Sequence, residues 1–455
     1  MSILMSVIKN LLQTENKSIR TLDQNSGFSL QDIRQAEGGS IIVLTAASEG
    51  NALEELNRLI VAPFETSASR IELININNPE WISRLKDCLE HPVWFAASYF
   101  GIGQNIPATA KDGRILNLWE AAGIPFIRFY GDIPAYFPDR HVAVFGNSIN
   151  AYYGDRHLAF YRRWFTNPAL SLLSPPLLLD KHPLPIDEID IDNKAAGKII
   201  FPKNGNSPHQ LIDYWKSTLP SKLLSVLIGA AEDSISKDRI DTDYPLDDLI
   251  IEHFARFNID ISAEPAVLCF MVAQLDDYVR RIKSTMIAEA LLDLPVEIRG
   301  TSWEHVNFAG KKATYVRNSS YANTQALIDR VPAIIDMSPN LQNAPHDRIC
   351  RAIGRGTAFL TNKQRFLEGL VPNSERFMFS FEPKAIRDLI EYYVFNPREA
   401  IDLGIEQARL LREPLFNESR YVDTLKLAVQ TVALRYGGRP PGTQNFVDFP
   451  PKNFG

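Results

Sequence analysis

The architecture of the first half of the chain is indicated by residues 40–76, SIIVLTAASEGNALEELNRLIVAPFETSASRIELINI. This stretch opens with an apolar run at residues 40–46, continues with apolar residues at helical spacing, and ends in a second apolar run at residues 70–76. Apolar strands that alternate with helices are typical of βαβ units, whose parallel sheet is buried on both faces. The stretch therefore predicts one such unit.

The same alternation continues along the first half of the chain. Further helices are predicted in PEWISRLKDCLEH (79–91) and RILNLWEAAG (114–123), where Gly123 ends the second helix. Further strands are predicted in three apolar segments, PVWFAASYF (92–100), IPFIRFYGD (124–132) and HVAVFGN (141–147). These elements extend the βαβ pattern into a whole sheet.

Residues 174–197, SPPLLLDKHPLPIDEIDIDNKAAG, interrupt this pattern with prolines and aspartates and predict a crossing between two domains. The strand and helix alternation restarts at residue 198, and a long helical section covers residues 265–294. We therefore expect an α/β protein with two Rossmann-like domains facing a cleft. The predicted division is an N-terminal helical extension (1–38), an N-terminal Rossmann-like domain (39–180), a linker (181–197), a C-terminal Rossmann-like domain (198–413) and a tail that crosses back to the first domain (414–455).

The overall composition excludes several classes of protein. A chain of 455 residues is too long for one ordinary core, and a net charge of −6 argues against binding to nucleic acid. No apolar run reaches the ~20 residues that span a bilayer, and the N-terminus is typical of an amphipathic helix rather than a signal peptide. Three widely spaced cysteines indicate no metal site and favour a reducing compartment. The expected location is the cytoplasm.

The order of motifs in the second half resembles a known family. LPVEIRGTSW (294–303), IDRVPAIIDMSPN (328–340), HDRICRAIGRGTAFLTN (346–362) and the segment 375–411 with its NPREA turn follow one another as in the C-terminal domain of bacterial GT-B glycosyltransferases. The spore-maturation (CgeB-like) group is the most similar kind. The resemblance covers residues 294–411, and weakly the strand at 198–201. It implies a glycosyltransferase that uses a nucleotide-sugar donor.

The resemblance directs attention to polar residues near the ends of predicted strands. A helix N-terminus carries partial positive charge and free N–H groups, so a helix beginning near His346 can hold a donor phosphate, with Asp347 as its cap. The loop after the strand at 198–201 offers an ammonium and backbone N–H groups, although a plain turn with Ser207 as helix cap explains it equally well. The predicted donor-binding residues are Lys203, Asn204, Gly205, Ser207, Gly300, Trp303, Ser338, Pro339, Asn340, His346, Asp347, Arg348, Arg351 and Gly356.

Arg351 departs from the family pattern. The related helix carries a glutamate that holds the ribose hydroxyls, whereas this chain has an arginine at the matching position. An arginine grips phosphate or carboxylate but accepts nothing from a hydroxyl. We expect Arg351 either to face the cleft and favour a donor with an extra anionic group, or to lie on the solvent-exposed face of its helix. A third alternative is that the register slips and the site is relocated by one turn.

Transfer by direct displacement needs a general base near the acceptor hydroxyl. Asp132 follows a predicted strand at the cleft edge, and Glu49 follows the first strand in the same layer. These two carboxylates are the leading catalytic candidates, with His157 behind them. Each has an ordinary structural explanation as well: a turn residue for Asp132 and a helix-start carboxylate for Glu49.

The predicted function is therefore transfer of a sugar from a nucleotide-sugar donor to a bacterial glycan or protein acceptor. No cofactor and no DxD-bound metal are expected, because helix dipoles and cations can neutralise the leaving phosphate. The alternative is a catalytically silent glycosyltransferase-like module that binds a sugar nucleotide or a protein partner. A Rossmann-type oxidoreductase is disfavoured, since FGIGQNIP (100–107) lacks the third glycine of the dinucleotide fingerprint. The sequence does not indicate an oligomeric state.

Overall fold

The structure is a computed structural model that describes residues 38–46, 51–110, 113–142, 145–167, 169–178, 183–242, 244–317, 321–338, 344–435 and 446–448. The predicted N-terminal helix lies outside these residues. So do three of the candidate site residues, Glu49, Pro339 and Asn340.

The strands in the described residues fall into three sheets. In chain order they are β1 (Ser40–Thr45), β2 (Arg70–Asn75), β3 (Val93–Tyr99), β4 (Pro107–Ala110), β5 (Ile115–Asn117), β6 (Phe126–Tyr130), β7 (Ser148–Tyr152), β8 (Leu170–Leu173), β9 (Ile200–Pro202), β10 (Glu297–Arg299), β11 (Thr314–Val316), β12 (Ala333–Asp336), β13 (Ala358–Asn362), β14 (Met378–Phe379) and β15 (Phe446–Asp448).

Helices connect and flank these strands. In chain order they are α1 (Ala52–Leu59), α2 (Trp81–Leu89), α3 (Leu118–Ala122), α4 (Pro138–Val142), α5 (Asp155–Trp164), α6 (Ile191–Ala196), α7 (Pro208–Thr218), α8 (Ser221–Ser234), α9 (Leu246–Ala255), α10 (Pro265–Leu291), α11 (Tyr321–Ile328), α12 (Asp347–Gly354), α13 (Arg365–Glu368), α14 (Pro383–Phe395), α15 (Pro397–Leu415) and α16 (Glu418–Arg435).

The first sheet is parallel, with strand order β2-β1-β3-β6-β7-β8. In β1, Ile41 and Val43 pack into one hydrophobic cluster while Ile42 and Leu44 pack into another. Successive side chains of a strand point to opposite faces, so each face of this sheet has its own apolar layer. This explains why the strand reads as a continuous apolar run rather than an alternating one.

Two predicted elements of the first half are corrected by the structure. The strand predicted at 141–147 is wrong: His141 ends up in α4, and the fifth parallel strand of the sheet is β7 instead. Pro138 begins that helix with a preset φ, and the His141 Nδ1–H donates to the Phe137 carbonyl at 2.8 Å. The helix predicted at 114–123 begins only at Leu118, after the short strand β5.

The second sheet is also parallel, with strand order β11-β10-β9-β12-β13-β14. Numbered along the chain, this is the order 3-2-1-4-5-6 of a Rossmann fold. The predicted α/β class with two Rossmann-like domains is thus confirmed by two separate parallel sheets. In the second sheet the strand order reverses between β9 and β12, which marks the edge where ligands bind in such folds.

Helices α7 to α10 form a helical layer inserted between β9 and β10. Their apolar residues share one cluster with side chains of the first half, including Tyr130, Tyr152 and Phe160. The long helix α10 also contacts the short 3-10 turn Pro134–Tyr136 that follows β6. The layer therefore joins the two sheets and positions α10 at the cleft.

The end of the chain packs against the first sheet. The Tyr421 hydroxyl of α16 donates to the Ile60 carbonyl at 2.8 Å, and Leu425 and Val429 join the cluster that contains Ile41. Strand β15 pairs with β4 in the small antiparallel sheet. Among the described residues, no helix combines the length and apolar character needed to cross a membrane.

Candidate active site in the cleft

Asp336, the last residue of β12, organises one side of the cleft. Its carboxylate is fully buried, and its Oδ1 accepts from His346 Nδ1 and from Arg348 Nε, both at 2.8 Å. Burial opposes ionisation, but the charges of His346 and Arg348 outweigh it and hold the pKa of Asp336 well below its usual range. Asp336 is therefore a fixed anion that orients two side chains at the start of α12.

Arg348 has unused donor capacity in this arrangement, whereas both ring nitrogens of His346 lie beside carboxylates. His346 Nδ1 lies 2.8 Å from Asp336 Oδ1, and His346 Nε2 lies 3.0 Å from Asp347 Oδ1. Arg348 uses its Nε for Asp336, while its Nη2 is buried with no hydrogen-bond partner among the described residues. A buried guanidinium N–H without a partner is costly, and an anionic oxygen would satisfy it.

The loop after β9 carries Lys203 and packs against the side chain of Trp303. The Trp303 indole is fully buried, and its Nε1–H donates to the Lys203 carbonyl at 2.7 Å. Gly205 is required here, because a Cβ at this position would lie 2.1 Å from the indole ring. The Asn204 Oδ1 accepts from the Thr301 N–H at 2.9 Å, which ties this loop to the segment after β10.

Gly300 completes the support of the Lys203 loop. Its φ of +151° lies in the region that favours glycine, and a Cβ would meet the Lys203 carbonyl oxygen at 2.4 Å. Gly300 and Trp303 thus shape the loop from its buried side, and polar residues occupy its exposed side. Ser207 lies at its end, where its hydroxyl accepts from the Gln210 N–H and caps α7.

Lys203 lies close to several charged side chains. Burial, together with the neighbouring charges of Arg348 and Arg280, lowers the pKa of Lys203 to about 8. A crowded, desolvated ammonium gains from any anion that joins it. Three cations from three different elements therefore converge at this edge of the sheet.

Arg280 of α10 links this edge to the first sheet. Its Nη1 donates to Asp132 Oδ1 at 2.9 Å, and its Nε lies 2.6 Å from Asp276 Oδ2. The Tyr136 hydroxyl donates to the same Asp276 oxygen at 2.8 Å. Asp132 and Tyr136 follow β6 of the first sheet, so these contacts link α10 to the carboxyl edge of that sheet.

Asp132 stays ionised in this setting. Burial raises its pKa, but the nearby Arg280, with smaller contributions from His157 and His346, brings the pKa below the ordinary value. Its side chain keeps about a third of its surface exposed, 32%. Asp132 is thus an accessible carboxylate beside the converging cations.

A cavity of about 400 Å³ opens between these groups. Arg281 lies on its wall, where it binds Asp277 through two nitrogens and donates to the Ser207 carbonyl at 3.1 Å. The cavity is lined by Asp132, Tyr136, Lys203, Asn204, Asn206, Asp277, Arg280, Arg281 and Ser284. Its volume suits a sugar or diphosphate group.

His157 lies behind Asp132 and is almost completely buried. Burial lowers the pKa of His157 to about 4, against the opposing charge of Asp132, so the ring is neutral at pH 7. Neither ring nitrogen has a hydrogen-bond partner among the described residues. His157 does not line the 400 Å³ cavity.

The remaining predicted residues of the second half lie around α12. The cap of this helix is His346, and Asp347 is its first residue, so the expectation that Asp347 caps it is wrong. Ser338 is buried, and its N–H donates to Asn362 Oδ1 at 2.9 Å, which joins the ends of β12 and β13. Gly356 has a φ of +57° and packs against Ile189, where a Cβ would clash.

Arg351 does not face solvent. Its side chain is only 5% exposed, and its Nε lies 3.8 Å from Asp347 Oδ2, one helical turn earlier. The expectation of a solvent-facing arginine is therefore wrong, and the position is an internal cation next to the start of α12.

Sequence reasoning missed Asp276, Arg280 and Asp336. Asp336 ends the apolar run AIID, where a buried carboxylate is costly without partners. Arg280 belongs to QLDDYVRRIK, in which two acids and two arginines four residues apart interrupt an otherwise apolar helix. Opposite charges four residues apart within a buried helix could have indicated Asp276 and Arg280 from the sequence. Within the described part of the chain, no group of three or more histidine, cysteine, aspartate or glutamate side chains is placed to hold a metal ion.

Solved structures with a similar fold include three sugar-handling proteins. They are a sucrose-phosphate synthase from Thermosynechococcus elongatus (12% identity, 87% of this chain and 100% of that chain, TM-score 0.43), Anabaena HepE in complex with UDP and glucose (9%, 85% and 97%, TM-score 0.41) and T4 phage BGT in complex with its UDP-glucose substrate (8%, 86% and 99%, TM-score 0.43).

No protein-family model matches the chain, and no curated protein matches it. The fold assignment rests on the strand orders of the two sheets. The resemblance to the spore-maturation group stays a prediction.

Proposed function

We propose that the protein transfers a sugar from a nucleotide-sugar donor to an acceptor hydroxyl in the cleft between the two sheets. The observation that carries this proposal is the convergence of Lys203, Arg280 and Arg348 beside the ionised carboxylate of Asp132. A site with excess cations suits a diphosphate, and a neighbouring carboxylate suits proton removal.

The donor diphosphate lies against the start of α12 and the Lys203 loop in this proposal. Arg348 Nη2 donates to a phosphate oxygen, and Lys203 supplies an ammonium to the same group. The free N–H groups at the beginning of α12 add partial positive charge. The support for this placement is the buried, unpartnered Arg348 Nη2 together with the lowered pKa of Lys203.

The chemical step then needs one proton transfer and one displacement. The acceptor hydroxyl gives its proton to the Asp132 carboxylate, and its oxygen forms a bond to the anomeric carbon of the donor. The bond from that carbon to the phosphate oxygen breaks, and the nucleoside diphosphate leaves with the electron pair. Lys203, Arg348 and Arg280 stabilise the charge that develops on the leaving phosphate.

Charge neutralisation by these side chains is the reason that we propose a reaction without a DxD-bound metal. The proposed location is the cytoplasm, supported by three buried free cysteines, Cys88, Cys269 and Cys350. The proposed acceptor is a glycan or a protein, in line with the resemblance of the second half.

The first test is a thermal-shift screen of the full chain with UDP-, GDP-, dTDP- and CMP-sugars. We expect one nucleotide class to raise the melting temperature. Release of the free nucleotide from that donor is then measured for the wild type and Asp132→Asn. We expect Asp132→Asn to bind the donor and to lose about 10²- to 10⁴-fold in transfer rate. A fully active Asp132→Asn variant would contradict the assignment of the base.

A catalytically silent module that binds a sugar nucleotide is the second candidate. The observation in its favour is Arg351, an internal arginine where the resemblance implies a ribose-binding glutamate. The two functions separate in one assay: a silent module binds the donor but releases no nucleotide with any acceptor offered.

A further inference from the structure

Two adjoining cavities lie beside the candidate active site. The inner one has a volume of about 170 Å³ and reaches His157 and Asp276, which flank the Asp132–Arg280 ion pair. The outer one has a volume of about 610 Å³ and extends to Lys363 and Arg365, which follow β13. Since Arg156, Thr242 and Tyr244 line both cavities, they form one groove, called the outer groove below.

The walls of the outer groove come from three separate parts of the fold. Helix α5 of the first half supplies Arg156, and the segment between α8 and α9 supplies Arg239, Thr242 and Tyr244. The carboxyl edge of the second sheet supplies Lys363. The groove therefore depends on the inserted helical layer as well as on the two sheets.

The outer groove offers mixed charge around one aromatic ring. Its outer part contains four cationic side chains, Arg156, Arg239, Lys363 and Arg365, and three acidic ones, Asp238, Asp241 and Glu368. The Arg239 guanidinium lies 4.3 Å from the centroid of the Tyr244 ring, and its Nη1 is buried with no hydrogen-bond partner among the described residues. Asp241 Oδ1 accepts from the Phe381 N–H at 2.9 Å.

This lining discriminates among classes of ligand. The three carboxylates repel a polyanion, and the four cations repel a basic peptide. Sugar hydroxyls both donate and accept hydrogen bonds, so they pair with carboxylates and guanidinium groups alike. The apolar face of a sugar ring can pack on an aromatic ring such as Tyr244.

We propose that the outer groove binds an oligosaccharide, the acceptor of the reaction, with its reacting end in the inner cavity, where His157 and Asp276 lie beside the Asp132–Arg280 ion pair. The assignment of an acceptor role rests on the proposed glycosyl transfer. It identifies the acceptor class as carbohydrate and assigns its recognition to Tyr244, Lys363 and Arg365, none of which the sequence motifs had indicated.

The experiment uses the full chain and a panel of the neutral saccharides maltotriose, cellotriose and chitotriose. Binding is detected by saturation-transfer NMR and measured by calorimetry, without any nucleotide. The variants are Tyr244→Ala and the surface double variant Lys363→Ala/Arg365→Ala, and the control is Lys384→Ala, whose side chain is 85% exposed on α14 and lines no part of the groove. UDP-glucose binding is measured for each protein in parallel.

We expect one saccharide to bind the wild type and the control equally, and the double variant to bind it at least about tenfold more weakly. UDP-glucose affinity and melting temperature should stay unchanged in the double variant, which removes only exposed side chains. Equal saccharide affinity in all variants would overturn the placement.

The failure of this inference is distinguishable from the failure of the proposed function. A protein that binds UDP-glucose but none of the saccharides would overturn the acceptor groove and leave the proposed transfer standing. A protein that binds a saccharide through Tyr244 and Lys363 supports the groove even where no nucleotide-sugar binds. The absence of nucleotide-sugar binding would count against the proposed transfer alone.

Discussion

Changing the pH while removing Lys203 tests the donor site most directly. In the unbound protein, burial together with the nearby charges of Arg348 and Arg280 lowers the pKa of Lys203 to about 8. A phosphate beside the ammonium favours its protonated form, so binding raises this pKa above 8. Above pH 8 the unbound protein must therefore take up a proton to bind the donor, and affinity falls as pH rises.

The magnitude follows from the protonated fraction of Lys203. A group with a pKa of about 8 is about nine tenths protonated at pH 7 and about one tenth protonated at pH 9. Affinity for the nucleotide-sugar donor found in the thermal-shift screen is thus expected to decrease about tenfold between these pH values, or about 1.4 kcal/mol. In Lys203→Met the decrease should be absent, and affinity at pH 7 should already be low.

Isothermal titration calorimetry of both proteins at pH 7, 8 and 9 measures this difference. Any titration of the nucleotide itself affects both proteins and cancels in the comparison. The variant should remain folded, because it removes the cost of burying an ammonium. The wild type loses that cost only as pH rises from about 8 toward the ordinary pKa of lysine. An equal pH slope in the wild type and the variant would refute a phosphate contact of Lys203.

The other predictions concern α12 and the Lys203 loop. Arg348→Ala should weaken donor binding by about 1–3 kcal/mol in calorimetry, since it removes a charge-assisted contact. Arg355→Ala at the far end of the helix serves as its control and should bind as the wild type does. Arg351→Glu should lower the free energy of unfolding by about 3–5 kcal/mol in urea, because it places a buried carboxylate beside that of Asp347; an unchanged midpoint would mean that the side chain is not enclosed. Gly205→Ala should lower the melting temperature and weaken donor binding together, since its Cβ would overlap the Trp303 ring, and a variant with normal affinity would show that the loop is free to move.

The sequence identified much of the fold through its apolar periodicity. Short continuous apolar runs such as those of β1 and β3 predict strands buried on both faces, because each face needs its own apolar layer. The strand wrongly predicted at 141–147 shows the limit of this signal. An apolar run of a few residues is compatible with a helix or a strand, and Pro138 together with the His141 contact to Phe137 decides for the helix.

Sequence alone also pointed to Lys203, Arg348 and Asp132, since each follows a strand or begins a helix at the edge where a parallel sheet binds ligands. Their roles stay predictions, but their proximity is a property of the structure. Only the tertiary structure brought Arg280 and Asp336 beside them. These side chains lie in apolar segments, and their charges make physical sense only once partners distant in the chain surround them.

Local features therefore follow from the sequence alone. They are the positions of the strands and helices, the restart of the α/β pattern after the proline-rich crossing, and the polar residues at the ends of these elements. The distances between charges, in contrast, follow only from the tertiary structure. Coulomb energy and desolvation depend on separation in space and on burial, and neither is a property of neighbouring residues. For this reason the lowered pKa of Lys203, the internal position of Arg351 and the outer groove around Tyr244 emerged only when both sheets and the helical layer came together.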